Sequence, residues 1–168
     1  MLRFEPLDRH HDRRGFDCGE QALDIYLVTT ARQHAEKGIS RTFVAVDEAS
    51  PRRVVGYFTL TVAEIDRDLL PTGQRRGMPK GGLPVIKLAR LAVDRDFRGQ
   101  GMGGVLIVEA LRRAMAAQVM TGSVAVLVDA KSEHAAAFYA KYGFVRLPDA
   151  ARVLCMGFGP IRELLQAP

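Results

Sequence analysis

Asp94-Arg95-Asp96-Phe97-Arg98-Gly99-Gln100-Gly101-Met102-Gly103-Gly104 is the stretch on which the reading of this chain turns. It follows an apolar run over residues 84–93 that reads as a central strand, and it precedes residues 103–120, whose spacing reads as a helix. A glycine-rich turn from strand to helix is a place for an anion. The first amides of a helix lack internal acceptors, the helix dipole adds about half a positive charge there, and glycine lets a pyrophosphate approach the backbone.

Two families of sites claim such a turn. Gly99, Gly101 and Gly104 satisfy G-x-G-x-x-G, the dinucleotide fingerprint, with Asp129 at the end of a later strand as a ribose-binding acid. Five residues separate Val93 from Gly99, however, and fewer than forty follow Asp129, so a second nucleotide-binding half has no room. Arg98-Gly99-Gln100-Gly101-Met102-Gly103 also fits R/Q-x-x-G-x-G/A, which resembles the pyrophosphate loop of the GNAT acetyltransferases. Downstream, Ala135-Ala136-Ala137-Phe138-Tyr139-Ala140-Lys141-Tyr142-Gly143-Phe144 resembles the A-x-x-F-Y-x-x-x-G-F signature that closes the same superfamily.

The remaining pattern agrees with that order of elements. Asp17 three residues before Glu20 resembles a capping box and predicts a helix over 18–37, ended by Gly38. Runs at 42–46 and 54–62 predict neighbouring antiparallel strands joined by a turn at Pro51. Residues 69–82 hold Pro71, Gly73, Gly77, Pro79, Gly81 and Gly82 and predict a long loop. A buried strand over 124–128, a helix over 134–142 stopped by Gly143, strand-like runs near Phe144 and over 152–158, and a short helix after Pro160 complete the chain. The charged stretch through Arg14 predicts no element of its own.

Length favours one domain: 168 residues leave little room for two independent cores. With 48% hydrophobic and 26% charged residues, a fibrous or disordered chain is excluded. Lys and Arg exceed Asp and Glu by 24 − 19 = 5, which suits a protein that meets polyanions. No uncharged apolar run approaches the ~18 residues of a membrane helix, and the N-terminus carries Arg3, Glu5, Asp8 and Arg9, so the expectation is a cytoplasmic protein with no membrane contact. Cys18 and Cys155 match no metal spacing and read as packed thiols, and no metal site is expected. His10 and His11 read as solvated, His34 as packed and His134 as an ordinary helix residue.

At the front of the chain the resemblance narrows. Phe16-Asp17-Cys18-Gly19, then Leu23-Asp24-x-Tyr26-Leu27, Ala31-x-Gln33, Gly56-Tyr57-Phe58-Thr59-Leu60 and Arg90-Leu91-Ala92-Val93-Asp94 are similar to the GNAT toxins of bacterial toxin-antitoxin pairs. That resemblance implies an α/β (α+β) GNAT fold, a mixed and mainly antiparallel sheet splayed between its fourth and fifth strands and flanked by helices. It implies acetyl transfer from acetyl-CoA to the α-amino group of aminoacyl-tRNA, a block of translation, a ribbon-helix-helix antitoxin and a homodimeric assembly. The implied coenzyme contacts are Leu91, Ala92, Val93, Arg98, Gly99, Gln100, Gly101, Met102, Gly103, Gly104 and Phe138. Tyr139 is the implied general acid, since a phenol of ordinary pKa near 10 holds a proton for a departing thiolate at neutral pH. Tyr142 is a second, weaker candidate, and Phe138 has no proton to give, so packing is its plainer role.

Residues 69–93 carry Arg75, Arg76, Lys80, Lys87 and Arg90 and no acid, a charge pattern that suits a phosphate backbone as well as a plain solvated loop. Of these, Arg75, Arg76, Lys80 and Arg90 are the candidate tRNA contacts. Arg90, inside a central strand, either pairs with a carboxylate such as Asp94 or points into the acceptor groove. Two rivals stand beside this reading: an acetyltransferase of protein N-termini or small amines, and a non-catalytic CoA- or RNA-binding module.

Overall fold

The computed structural model describes residues 1–150 and 152–168. In chain order it forms β1 (Leu2–Pro6), α1 (Gln21–Thr29), α2 (Ala31–Glu36), β2 (Arg41–Asp47), β3 (Ser50–Asp66), α3 (Thr72–Arg75) and β4 (Gly82–Val93). Then follow α4 (Met102–Thr121), β5 (Ala125–Asp129), α5 (Glu133–Ala140), β6 (Val145–Arg146), β7 (Val153–Gly157) and α6 (Phe158–Gln166). The strands lie in one mixed sheet of order β1-β2-β3-β4-β5-β7-β6. β1 with β2, β2 with β3, β5 with β7 and β6 with β7 are antiparallel, whereas β4 and β5 are parallel. Their ladder joins Ile86 to Val126 and Lys87 to Leu127, and each strand then runs on past it, to Val93 and Asp129. The mixed, mainly antiparallel sheet expected from the sequence is therefore what the chain forms.

Several local expectations are corrected. The first helix begins at Gln21, not near Cys18, and Thr30 divides it from α2. The supposed capping box does not form: Glu20 occupies the cap position with no side-chain capping bond, and the Asp17 carboxylate is used by the Gly19 amide and by Arg95. The β2–β3 hairpin turns at residues 48–49, with Asp47 opposite Ser50, so Pro51 lies inside β3. Leu2–Pro6, read as an unstructured charged stretch, is an edge strand paired with β2; Arg3 and Glu5 alternate with Leu2 and Phe4, which suits a strand with one wet face. Residues 69–82 are more ordered than a loop, with a 3₁₀ turn at Arg67–Leu69 and α3.

The chain divides into two compact units, Met1–Thr61 with Ala89–Ala110, and Val62–Leu88 with Leu111–Pro168. In the first, Phe16, Tyr26, Leu27, Ala31, Val44, Val46, Val54, Tyr57 and Ala92 form a buried cluster. Phe16 meets the Tyr57 ring edge-on at 5.5 Å, an arrangement that aromatic quadrupoles favour. In the second, Ile65, Leu70, Leu83, Val85, Ala125, Leu147 and Cys155 form the core. Leu70 is 1% exposed, so it anchors the turn after β3 by the burial of a whole side chain, worth about 2 kcal/mol. Among the described residues, no helix is long and apolar enough to cross a membrane.

Candidate active site

In the first unit, β4 delivers the chain through Leu91, Ala92 and Val93 to Asp94, a 3₁₀ turn at Arg95–Phe97, and the glycine turn that opens α4 at Met102. Gly99 and Gly101 have φ of +75° and +73°, left-handed values that a side chain would make costly. A Cβ at either would meet nothing within 4 Å, so the loop is also open. Met102, Gly103 and Gly104 fall in the first turn of α4, where backbone N–H groups have no helical acceptor. Open space, unspent amides and a helix N-terminus fit a pyrophosphate.

Arg98 has an attachment that its place in this loop does not foretell. Its guanidinium donates to the carbonyl of Cys18 and is thereby tied to the segment ahead of α1. The loop thus offers its backbone, while one nitrogen of its long cation anchors it to the 17–19 segment.

Of the two arrangements expected for Arg90, the pairing with Asp94 does not form. Asp94 does not receive it, because that 3%-exposed carboxylate accepts the Asp17 amide at 3.1 Å and the Asp96 amide at 3.0 Å. Instead the Arg90 guanidinium lies over the Tyr26 ring, 3.7 Å from its centroid. Tyr26 is itself buried, its hydroxyl 3.3 Å from Ser40 Oγ and its ring stacked at 6.5 Å on Tyr57. The Tyr57 hydroxyl donates to the Leu23 carbonyl, and burial pushes its pKa well above the ordinary phenol value.

In the second unit, α5 carries the signature helix. Ser132 caps it by accepting the Ala135 amide at 3.0 Å, and Gly143 at φ +106° follows its end. Tyr139 is 9% exposed, with ring contacts to Phe138 at 5.4 Å and Phe144 at 5.7 Å, both edge-on. No hydrogen bond joins its hydroxyl to any described residue, yet no buried side-chain oxygen among them lacks a partner, so the hydroxyl reaches solvent at the lip of an apolar setting. Desolvation pushes this phenol up to about 12. It holds its proton throughout the physiological range. Phe138 and Tyr142 pack edge-on at 5.5 Å, both half-buried.

The basic residues of 69–93 separate by partner. Arg75 bonds its own loop, to the Asp68 carbonyl at 3.2 Å and Thr72 Oγ1 at 3.4 Å. Lys87 pairs with Asp129 at 2.8 Å, a contact between neighbouring strands that the sequence does not announce. Arg76 and Lys80 are exposed and pair with no described residue. Arg90 belongs to the first unit, while Arg75, Arg76 and Lys80 belong to the second.

The histidines bring one correction. His11 is not solvated: it is 3% exposed, with Nδ1 accepting the Asp8 amide at 2.9 Å and Nε2 2.6 Å from Glu5 Oε1. An Nδ1 that accepts places the ring proton on Nε2, which therefore donates to Glu5. Glu5, His10 and His11 bring ligand atoms within 4.8 Å of one another, but both His11 nitrogens are already used, which disfavours a metal there. His34 packs edge-on against Tyr26 at 5.9 Å, and His134 is exposed on α5. Both cysteines are buried, with thiols pushed up to about 11 by desolvation, and are poor nucleophiles.

The acetyltransferase (GNAT) domain profile matches residues 38–146, a span that holds both the glycine loop and the α5 signature. The chain belongs to the GNAT acetyltransferase family. A tRNA-acetylating toxin of Mycobacterium tuberculosis is 38% identical over 133 residues, covering 79% of this chain and 78% of that relative. The toxin AtaT solved with acetyl-methionyl-tRNAfMet superposes with a TM-score of 0.91 at 30% identity, over 99% of this chain and all of that one. A tyrosine-to-phenylalanine mutant of AtaT, bound to acetyl-CoA and the C-terminus of the antitoxin AtaR, gives 0.83 at 28% identity over 99% of both chains.

Proposed function

We propose that this GNAT chain is a toxin that transfers acetyl from acetyl-CoA to the α-amino group of aminoacyl-tRNA and so blocks translation. The observation that carries the reading is the open left-handed turn at Gly99 and Gly101 feeding the first amides of α4, in a chain similar to tRNA-acetylating toxins. When bound, acetyl-CoA supplies an acyl thioester, an electrophile with a thiolate leaving group.

The chain's own groups then divide the work. The amides of the 98–104 loop hold the pyrophosphate, and the β4 backbone at Leu91 and Val93 holds the pantetheine arm. Oriented N–H groups on β4 face the oxygen that gains charge. The amine of an aminoacyl ester is substantially neutral near pH 7 to 8, so it attacks without a strong base and releases its surplus proton to water. A C–N bond forms as the C–S bond breaks. Tyr139 Oη donates its proton to the departing sulfur and is reprotonated by solvent.

Arg76, Lys80 and Arg90 are the cations we assign to the nucleic acid, and Arg75 orders the loop that presents the first two. The same reading carries a ribbon-helix-helix antitoxin, a homodimeric assembly and a cytoplasmic site of action, where charged tRNA is found. Its support is that the AtaT neighbours are solved with acetyl-methionyl-tRNA and with an antitoxin.

The deciding experiment incubates the purified chain with acetyl-CoA and either charged tRNA or a peptide with a free N-terminus. Acetylated aminoacyl ester, with the peptide untouched, is the expected result. Acetylated peptide alone moves the acceptor to protein N-termini, and coenzyme binding without transfer leaves a binding module.

A further inference from the structure

Two motifs that the chemistry leaves unused meet in the first unit: Asp17-Cys18-Gly19 ahead of α1, and Asp94-Arg95 at the end of β4. Asp94 Oδ2 accepts the Asp17 amide, and the Asp17 carbonyl returns the bond by accepting the Arg95 amide at 2.8 Å. The other Asp94 oxygen caps the 3₁₀ turn through the Asp96 amide. Asp17 Oδ1 accepts the Gly19 amide at 2.9 Å and faces Arg95 Nη2 at 3.1 Å. Arg98 reaches back to the Cys18 carbonyl, and a Cβ on Gly19, at φ +85°, would run into the same guanidinium nitrogen.

The loop these bonds support cannot hold itself. Gly99 and Gly101 have no side chains, nothing lies within 4 Å of where a Cβ would be, and glycine loses more freedom on ordering than any other residue. Amides that must converge on a pyrophosphate need their geometry fixed before the ligand arrives, or the ordering cost is subtracted from affinity. The base of the loop is where that fixing occurs.

We propose that Asp94 is a positioning residue for acetyl-CoA, and that with the 17–19 segment as its brace it sets where the 98–104 loop presents its amides. The inference rests on the reading that this loop takes the pyrophosphate. Asn at position 94 keeps the shape but turns an NH₂ toward one of two N–H donors, which leaves that donor without its acceptor.

The test compares two donors on the full chain with charged tRNA: acetyl-CoA, and S-acetylpantetheine, which has no pyrophosphate. Asp94→Asn should raise KM for acetyl-CoA and the Kd for coenzyme A by roughly tenfold. Its kcat at saturation, and its kinetics with S-acetylpantetheine, should match wild type. Gly19→Ala, which displaces Arg98 and leaves the Asp94 carboxylate in place, should show the same donor-selective rise and decides the matter if Asp94→Asn does not fold. Equal losses with both donors, or no loss with either, overturn the brace. Wild-type protein that does not favour acetyl-CoA over S-acetylpantetheine overturns the loop reading, and the brace with it.

Discussion

Arg90 sits over the Tyr26 ring with its guanidinium carbon 3.7 Å from the centroid, and it forms no ion pair with any described carboxylate. A half-buried guanidinium held on an aromatic face keeps its N–H fork available at the edge, where a phosphate or carbonyl can take two bonds at once. The stack is worth about 0.5–2 kcal/mol. Arg90→Lys keeps the charge but loses both the stacking plane and the fork. It should raise KM for charged tRNA while Kd for coenzyme A stays unchanged, measured by steady-state acetylation and calorimetry. A lysine variant with wild-type KM for tRNA would remove Arg90 from the acceptor site.

Arg76 and Lys80 differ from Arg75 in having no hydrogen bond that ties them to the loop, so they are free to swing onto a phosphate and their share of the salt response can be read by itself. Removing one cation from a phosphate flattens the slope of log K against log salt by about 0.9 on duplex and about 0.7 on single strand. The Arg76→Ala/Lys80→Ala double variant should therefore lower the tRNA slope by nearly two such steps, read by binding titrations across salt concentrations. Arg75→Ala should instead loosen the loop and raise its amide exchange. An unchanged slope in the double variant contradicts the assignment of these two cations.

The glycine turn and the α5 signature were legible because each is a short contiguous pattern whose residue types follow from local backbone needs. Gly99 and Gly101 do adopt left-handed φ, and Gly143 does follow the last turn of α5. Long-range partners were not legible. Nothing near Arg90 in sequence points to Tyr26, nothing near Arg98 points to the Cys18 carbonyl, and Lys87 finds Asp129 only through strand register. The failed capping box shows related physics: Asp17 has the right local spacing, yet a local bond from the Gly19 amide and a tertiary one from Arg95 outcompete the cap. β1 escaped notice because two of its five residues are charged, which is ordinary on an edge strand.

The Glu5–His11 contact makes a prediction about acid stability. Glu5 has its pKa lowered chiefly by the His11 hydrogen bond, so its folded value lies below its unfolded one. A depressed carboxylate contributes stability that is present above the unfolded pKa and lost as pH falls through the folded one. Glu5→Gln should accordingly melt below wild type at pH 7. The gap should close as pH drops below the ordinary glutamate range near 4, followed by thermal unfolding at stepped pH. A gap that persists undiminished in acid assigns the loss to packing and not to the carboxylate.

Tyr139→Phe should separate fold from chemistry. The ring keeps its edge-on contacts with Phe138 and Phe144, and the hydroxyl it loses bonds no described residue, so stability and coenzyme A affinity should stay close to wild type. Proton donation to the thiolate should disappear, and kcat should fall by ~10²–10⁴-fold, the usual worth of a general acid. The raised pKa, about 12, fixes the shape of the pH profile as well. Because burial keeps Tyr139 protonated well past neutrality, the wild-type rate should show no fall attributable to this phenol up to about pH 10, and any limb near pH 7 to 8 belongs to the acceptor amine gaining a proton as pH drops. The Phe variant should keep that limb at reduced height. Acetylation of charged tRNA across pH by both proteins measures it, and a variant with near wild-type turnover would take the general-acid role away from Tyr139.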